Sequence, residues 1–432
     1  MEYGYDSTYQ GATAFDITTV PNAPGYVRTV TDPVRTGGVM RNEVTDRDEW
    51  STELRLESDR AARFRYMVGA YYYESRRSLE ERHFAIAPTV FSGETRVDNV
   101  ALFGSIGFDF TDRWEATAEL RYAEDTVGNY NAIARPTGPL IENTFDSVSP
   151  RVTTTFKFTP ENMIYANVAK GNKPGVINPD PRFPPEVRFA DEEESWNYEV
   201  GTKNRLFDGR VMANLALYYI DWKDQQITTA FTFPTGGTQS YIRNAGATEI
   251  KGAELELEAA VTDSFTAGLT YSLTDTEFIE LSDGEALQLF GNASLKGKKL
   301  FGVPEQQAST YGKLTFPVGA DKSGFVRGDI SFTDRKYDQI YNLAHTGEAI
   351  VTNFSAGVEN DRWAVTLFVN NAFDDRTPSS VTRYVDQLNL NVPQHVNANP
   401  AQNNVPGTTV TERAFYLPLA AKRQFGLTAK WK

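Results

Sequence analysis

The chain has 432 residues, 57 acidic against 43 basic side chains for a formal net charge of −14, and no cysteine. The acidic balance argues against a nucleic-acid partner, and without thiols there are no disulfides and no cysteine-based metal sites. Mean hydropathy is −0.45, and no apolar run approaches the roughly 18 residues of a spanning helix. The best, Val211–Ile220, is interrupted by Asn214.

In chain order, Met1–Tyr9 alternates weakly through Tyr3, Tyr5 and Ser7 and reads as a lone strand. Gly11–Asp48 is polar, contains proline and glycine, and reads as a long loop. Residues 1–48 are therefore expected to be a remnant strand plus a long outer loop. Met1–Tyr5 has neither the basic nor the apolar region of a signal peptide. From residue 49 to 432 a two-strand unit repeats. Period-two alternation predicts strands over Thr52–Glu57, Arg63–Glu74, Asn99–Phe110, Trp114–Glu124, Ser149–Phe158, Met163–Lys170, Ser195–Leu206 and Arg210–Trp222. It continues over Tyr241–Val261, Gln307–Phe316, Phe325–Thr333, Thr352–Val358, Trp363–Asn370 and Arg423–Trp431.

The hairpin Lys251–Tyr271 shows the unit most clearly. Ala253, Leu255, Leu257 and Ala259 alternate with Glu254, Glu256 and Glu258. A tight Thr262–Ser264 turn leads to Ala267, Leu269 and Tyr271. Along the chain every second connection is short and the others are long. That asymmetry fits a transmembrane antiparallel β-barrel of about 16 strands, with short turns at one rim and long loops at the other. Low hydropathy agrees, because only alternate residues touch lipid. The 27 Phe, 21 Tyr and 6 Trp suit aromatic girdles at the two interfaces. On the last strand Phe425, Leu427, Ala429 and Trp431 form the apolar face, and this strand is expected to pair with the first, since an open edge in lipid leaves backbone groups unsatisfied.

Several stretches resemble the C-terminal barrel of TonB-dependent outer-membrane receptors. Ser149–Val152, Ile164–Ala166 and Lys170–Gly175 (KGNKPG) are similar to one conserved-type segment of that family. Glu194–Lys203 (ESWNYEVGTK), Leu206–Arg210 with Leu217–Trp222, Asn244–Gly246 with Lys251–Glu256, and Val369–Asp374 are similar to others. Together they cover most of residues 49–432. The resemblance implies an outer-membrane receptor of a Gram-negative bacterium that takes up a scarce ligand, such as an iron–siderophore complex, by TonB-coupled transport. It implies outer-membrane lipid, a small-molecule ligand and TonB as partners, no cofactor and no enzyme activity. Family barrels have about 22 strands and carry a plug and a TonB box, neither visible in this sequence. The chain thus reads as the distal barrel of a receptor, and coupled transport is not expected of it alone. A passive porin and a soluble β-rich binding module are the competing readings.

Candidate site residues lie on the polar faces of the strands, which in a barrel line the lumen: Arg121, Tyr165, Asn167, Asn214, Asn244, Glu254, Glu256, Arg327 and Asn370. Each is also a candidate for cross-strand pairing that merely holds the wall. Trp222, Phe231, Phe233 and Tyr241 are candidates to grip a ligand from outside, or to form the outer girdle. Asp191–Glu194 and Asp374–Asp375 offer oxygen ligands for a cation, or are solvated loop ends. His83, His345 and His395 fall in predicted loops, with no nucleophile motif nearby.

Overall fold

The computed structural model describes residues 2–5, 41–83, 89–130, 140–234, 238–385, 413–418 and 420–431. Its strands are β1 (Glu2–Tyr5), β2 (Arg41–Glu57), β3 (Phe64–His83), β4 (Thr89–Asp109), β5 (Trp114–Tyr130), β6 (Ile141–Thr159) and β7 (Asn162–Lys173). The short β8 (Val176–Ile177) and β9 (Phe189–Ala190) follow, then β10 (Glu193–Leu206), β11 (Val211–Thr232), β12 (Thr238–Ala260), β13 (Phe265–Leu281), β14 (Gln306–Pro317), β15 (Ser323–Thr333), β16 (Ala349–Glu359) and β17 (Trp363–Asn370). The short β18 (Thr382–Val385) and β19 (Arg413–Tyr416) precede β20 (Gln424–Trp431). One helix, α1 (Gly284–Phe290), lies between β13 and β14.

Sixteen strands form one sheet in chain order, β1 to β7, β10 to β17 and β20; β8–β9 and β18–β19 are separate two-stranded sheets. Neighbours in the large sheet are antiparallel. This is the predicted all-β barrel wall with meander topology. Its short connections define a turn rim and its long ones a loop rim. At the β10–β11 turn three successive residues, Phe207, Asp208 and Gly209, take positive φ of 55°, 56° and 81°, the left-handed backbone that lets two strands reverse tightly.

The two faces differ chemically. One carries exposed Leu54, Leu56, Val68, Leu102, Ile106, Leu120, Val152, Leu215, Leu217, Val326, Leu367 and Leu427. Along β4 and the residue after it this apolar stripe, Val100 to Phe110, is about 34 Å long and ~26 Å tall at a tilt of ~40°, the height of a bilayer's apolar band. Aromatics bound it. Near the turn rim stand exposed Phe64, Phe110, Trp114, Phe156, Phe158 and Trp431, with Phe110 stacked on Trp114 at 4.4 Å. Towards the loop rim stand exposed Trp50, Tyr122 and Tyr198, with Trp50 against Tyr72 at 5.4 Å. The opposite, inner face is polar, and rings there lie over glycines directly across the ladder. Phe103 covers Gly69, Tyr165 covers Gly201, Tyr218 covers Gly252, Tyr311 covers Gly268 and Phe368 covers Gly426.

Two expectations change. Several strands run further towards the loop rim than the alternation predicts. Arg41–Asp48, expected as loop, belongs to β2 and pairs with β3; β11 continues to Thr232 and β13 to Leu281. Above the apolar band both faces of a strand are polar, so the period-two signal vanishes while the hydrogen-bond ladder continues. Secondly, the last strand does not pair with the first: among the described residues β20 pairs only with β17 and β1 only with β2.

A buried core sits at the loop rim. Phe278, Leu281, Ala286, Leu295, Leu300, Ile340 and Tyr341 pack together against Trp222, Ile227 and Ile250. They join α1 and the loops after β13 and β15 into a cap on the β11–β13 tips.

Candidate functional site

Mid-wall on the inner face, β7 and β10 to β15 border a cleft of about 680 Å³. Its polar lining is Tyr165, Glu199, Lys203, Asn214, Glu254 and Glu256, with the hydroxyls of Thr270, Ser272, Ser309 and Ser331 opposite. Strand parity puts these side chains together: Glu256 faces Asn214 on β11 and Thr270 on β13, and Thr270 faces Ser309 on β14. Tyr165 Oη donates to Glu199 Oε1 at 2.6 Å. Asn214 Nδ2 donates to Glu256 Oε2 at 2.9 Å, and Tyr311 Oη to Glu258 Oε2 at 2.8 Å.

The charge is uneven around the wall. From β2 to β6 several inner-face charges are paired: Arg55 with Glu53, Arg65 with Asp109, Lys157 with Glu115 and Arg151 with Glu119. On β10 and β12, among the described residues, Glu199, Glu254, Glu256 and Glu258 make no ion pair. The cleft is therefore an acidic, hydroxyl-rich surface able to accept hydrogen bonds and positive charge. Among the described residues no cluster of His, Asp and Glu could hold a metal ion.

The structure brings four of the predicted residues, Tyr165, Asn214, Glu254 and Glu256, into this cleft. Asn167 stands beside it, opposite Glu199, and its Oδ1 accepts from Arg151 Nε and Thr153 Oγ1, each at 3.0 Å. The others lie elsewhere. Arg121 donates to Asn99 at 3.1 Å and lies over the rings of Tyr71 and Phe103. Arg327 pairs with Asp329 at 2.6 Å and stacks on Tyr311 at 4.2 Å. Asn370 is exposed at the end of β17, opposite Gln424. Asn244 is a staple at the loop rim: Nδ2 donates to the carbonyls of Asp191 and Asp224, and Oδ1 accepts from the Asp191 amide at 2.7 Å. Sequence reasoning missed Glu199 and Lys203, although Asn197, Glu199, Gly201 and Lys203 alternate with Tyr198, Val200 and Thr202 and so share the inner face.

The loop between β7 and β10 folds inward over the mouth. β8 packs on β5 and β6, with Gly175 against the Phe145 ring. Asn178 is buried, donating to the carbonyls of Val187 and Ile242 and accepting from the Ile242 amide. The candidate outer grip is used here instead. Phe231, Phe233 and Tyr241 surround buried Phe183 with ring centroids 5.5, 5.6 and 5.9 Å away. Trp222 donates to Glu193 at 2.9 Å. Aromatic residues near a loop thus form a small core that anchors the loop.

Asp180 and Arg182 fix the loop's tip at 2.5 Å, and Arg182 lies over the Phe233 ring at 4.6 Å. The Arg182 hydrogen bonds hold the Asp180 carboxyl below its ordinary pKa. The acidic run Asp191–Glu194 is structural tie rather than solvated end: Glu193 is buried and accepts from Lys173 Nζ, Trp222 Nε1 and the Gln226 amide, while Glu194 pairs with Lys170. Asp374 and Asp375 likewise cap backbone amides, of Arg423, and of Ile350 and Thr377. Of the histidines, His83 ends β3, His345 packs edge-on against Tyr337, and His395 lies outside the described residues.

A meandering antiparallel wall, apolar outside between two aromatic belts and polar inside, defines a transmembrane β-barrel protein. The chain matches the family described as TonB dependent receptor-like, beta-barrel over residues 1–372, and it belongs to that family. It is 25% identical over 336 residues to the pesticin receptor of Yersinia pestis, a match covering 75% of this chain and 46% of that protein. It is 26% identical over 298 residues to the metal-pseudopaline receptor CntO of Pseudomonas aeruginosa strain UCBPP-PA14, covering 65% of this chain and 37% of the other. Among solved structures, the ferric yersiniabactin uptake receptor FyuA of Yersinia pestis superposes with TM-score 0.69 at 18% identity, covering 90% of this chain and 55% of that one. The siderophore receptor PiuA of Acinetobacter baumannii gives 0.65 at 15% identity, covering 91% and 56%. The chain spans less than half the length of these curated relatives. TonB-dependent receptor barrels are outer-membrane proteins of Gram-negative bacteria, and the family consists of receptors and transporters, not enzymes.

Proposed function

We propose that this chain forms most of the wall of an outer-membrane receptor that takes up a scarce ligand, a ferric siderophore or similar metal complex, with TonB supplying the energy in the whole receptor. The observation that carries the reading is the polar, ligand-sized cleft on the inner face of a wall built on this family's plan. A volume of about 680 Å³ lies in the ~300–1,000 Å³ range of small-molecule sites. Named relatives support the ligand class: one is a ferric yersiniabactin uptake receptor, another a metal-pseudopaline receptor. Tyr165, Asn167, Asn214, Glu254 and Glu256 are the proposed ligand-facing residues; Arg121, Arg327 and Asn370 are wall residues flanking the path, and Asn244 holds the mouth.

Uptake tests it. In iron-starved Gram-negative cells, a strain making the whole receptor to which this wall belongs should accumulate a radiolabelled ferric complex that a deletion strain, or one making this chain alone, does not, and dissipating the proton-motive force should stop it. Gene-dependent uptake that persists without the proton-motive force would establish a passive porin instead.

A further inference from the structure

A hollow of about 510 Å³ opens at the turn rim beneath the β4–β5 connection. Phe110 and Trp114, the stacked pair that ends the apolar stripe of β4, form part of its wall. Thr111 Oγ1 shapes the turn by accepting from the amides of Arg113 at 3.2 Å and Trp114 at 3.0 Å. The polar headgroup zone of a bilayer is only about 5–7 Å thick on each side. A hollow bounded by the last aromatic rings and the turn beyond them lies within that zone.

Its charged lining is three cations, Arg63, Arg113 and Lys157, and three carboxylates, Asp109, Asp112 and Glu115. Half of these are already engaged. Arg65 holds Asp109 through two hydrogen bonds of 2.6 Å, and Lys157 pairs with Glu115 at 3.5 Å. Arg63 is drawn to the lipid side. Its guanidinium lies 5.1 Å from the Phe108 ring centroid, with Nε donating to the Asp109 carbonyl and Nη2 to the Phe110 carbonyl. Arg63 Nη1, the Arg113 guanidinium and the Asp112 carboxylate have no partner among the described residues, and all three residues are exposed.

We infer that this hollow seats the headgroup of one phospholipid of the turn-side leaflet, and that an ethanolamine headgroup fits it best. The acyl chains lie along the apolar stripe of β4. The phosphate reaches Arg63 Nη1 and Arg113, which bind it by charge-assisted hydrogen bonds. Asp112, next to Arg113 in the turn, accepts from the primary ammonium. The even count of charges decides against a net anion: the phosphate of a phosphatidylglycerol meets the arginines, but its glycerol leaves Asp112 facing no cation. Choline carries the same charges as ethanolamine and has no N–H to donate. The inference rests on the membrane reading of the wall.

Lipid retention tests it. The full chain is refolded into vesicles of equal parts phosphatidylethanolamine, phosphatidylcholine and phosphatidylglycerol, extracted in mild detergent and weighed by native mass spectrometry. One phosphatidylethanolamine per chain is expected, retained roughly tenfold over the other two lipids. Arg113→Gln should cut that retention about tenfold. Asp112→Asn should keep a bound lipid and abolish the preference for ethanolamine. Arg60→Gln, at the neighbouring turn and outside the hollow, should change nothing. Retention of no lipid, equal retention of all three, preference for phosphatidylglycerol, or retention untouched by Arg113→Gln overturns the inference. A loss with Arg60→Gln as large as with Arg113→Gln would assign a diffuse basic rim and overturn it too. So would displacement of the lipid by an equal concentration of glycerophosphoethanolamine, which assigns a soluble zwitterion. A chain that is monomeric and folded without detergent would instead overturn the membrane reading.

Discussion

At the loop rim, Glu193 gathers three donors from three places: Lys173 from the end of β7, and Trp222 and the Gln226 amide on either side of a register shift in β11. It is 4% exposed, and those donors take the place of the water that burial removes from its carboxyl oxygens. Glu193→Ala leaves the Trp222 indole and the Gln226 amide unpaired, while the exposed Lys173 ammonium returns to water. The expected loss is about 2–3 kcal/mol, read as a lower urea midpoint in detergent, with Glu193→Gln losing less. Asp180 gives a pH dependence. The Arg182 hydrogen bonds hold its carboxyl below the ordinary aspartate range, so the Asp180–Arg182 contact stabilises the loop fully above that range. That contribution falls away as pH drops through the lower, folded value. Protease cleavage within 174–192 should stay constant from pH 7 to 5 and rise only below about pH 4, with Asp180→Asn cleaved readily throughout. A rise centred near pH 6 would assign the latch to another group.

On the inner face, each ring-over-glycine contact joins two strands, and the glycine is chosen for the space its missing Cβ leaves. At Gly252 an added Cβ would overlap the Tyr218 ring, whose hydroxyl shares a 2.9 Å hydrogen bond with Thr274 on β13. Gly252→Ala must displace that ring and uncouple β11, β12 and β13, at an expected cost of about 1–3 kcal/mol. Adding Tyr218→Leu should recover part of the loss, and a thermal-unfolding double-mutant cycle measures the coupling. These contacts also show what the sequence discloses. The alternation of Leu255 and Leu257 with Glu254 and Glu256 gives the strand and its two faces directly. It does not give register, which sets Tyr218 over Gly252 and Glu199 beside Asn167, because register depends on pairing between segments far apart in the chain. The same gap explains Asn244, polar and near a strand like the true cleft residues, yet consumed by backbone groups of Asp191 and Asp224. It explains the aromatic cluster around Phe183 as well, since nothing in the local pattern shows whether a ring near a loop faces lipid, ligand or another ring.

For the whole molecule, the orientation of the wall turns every strand into an internal control. Asn214 and Leu215 are neighbours on β11 with opposite surroundings: Asn214 faces the cleft and bonds Glu256, while Leu215 lies in the apolar stripe, 40% exposed and opposite Leu255. In a soluble sandwich the apolar side would be the packed core and the polar side the solvent. In a barrel both sides are open, one to lipid and one to the lumen, so nearly half-exposed leucines in a row across β2 to β17 are the expected state. An arginine distinguishes the two sides by solvation alone. At Leu215 it must enter hydrocarbon, at a cost of roughly 2–4 kcal/mol near mid-bilayer. At Asn214 it enters an aqueous lumen beside Glu256 and Glu254, where attraction offsets the lost amide bond, and stability should change by no more than about 0.5 kcal/mol. Urea unfolding in phosphatidylcholine vesicles compares Leu215→Arg with Asn214→Arg directly. A large loss for Leu215→Arg only places lipid on the leucine side; equal losses, or a larger one at Asn214, would place the apolar stripe against protein instead.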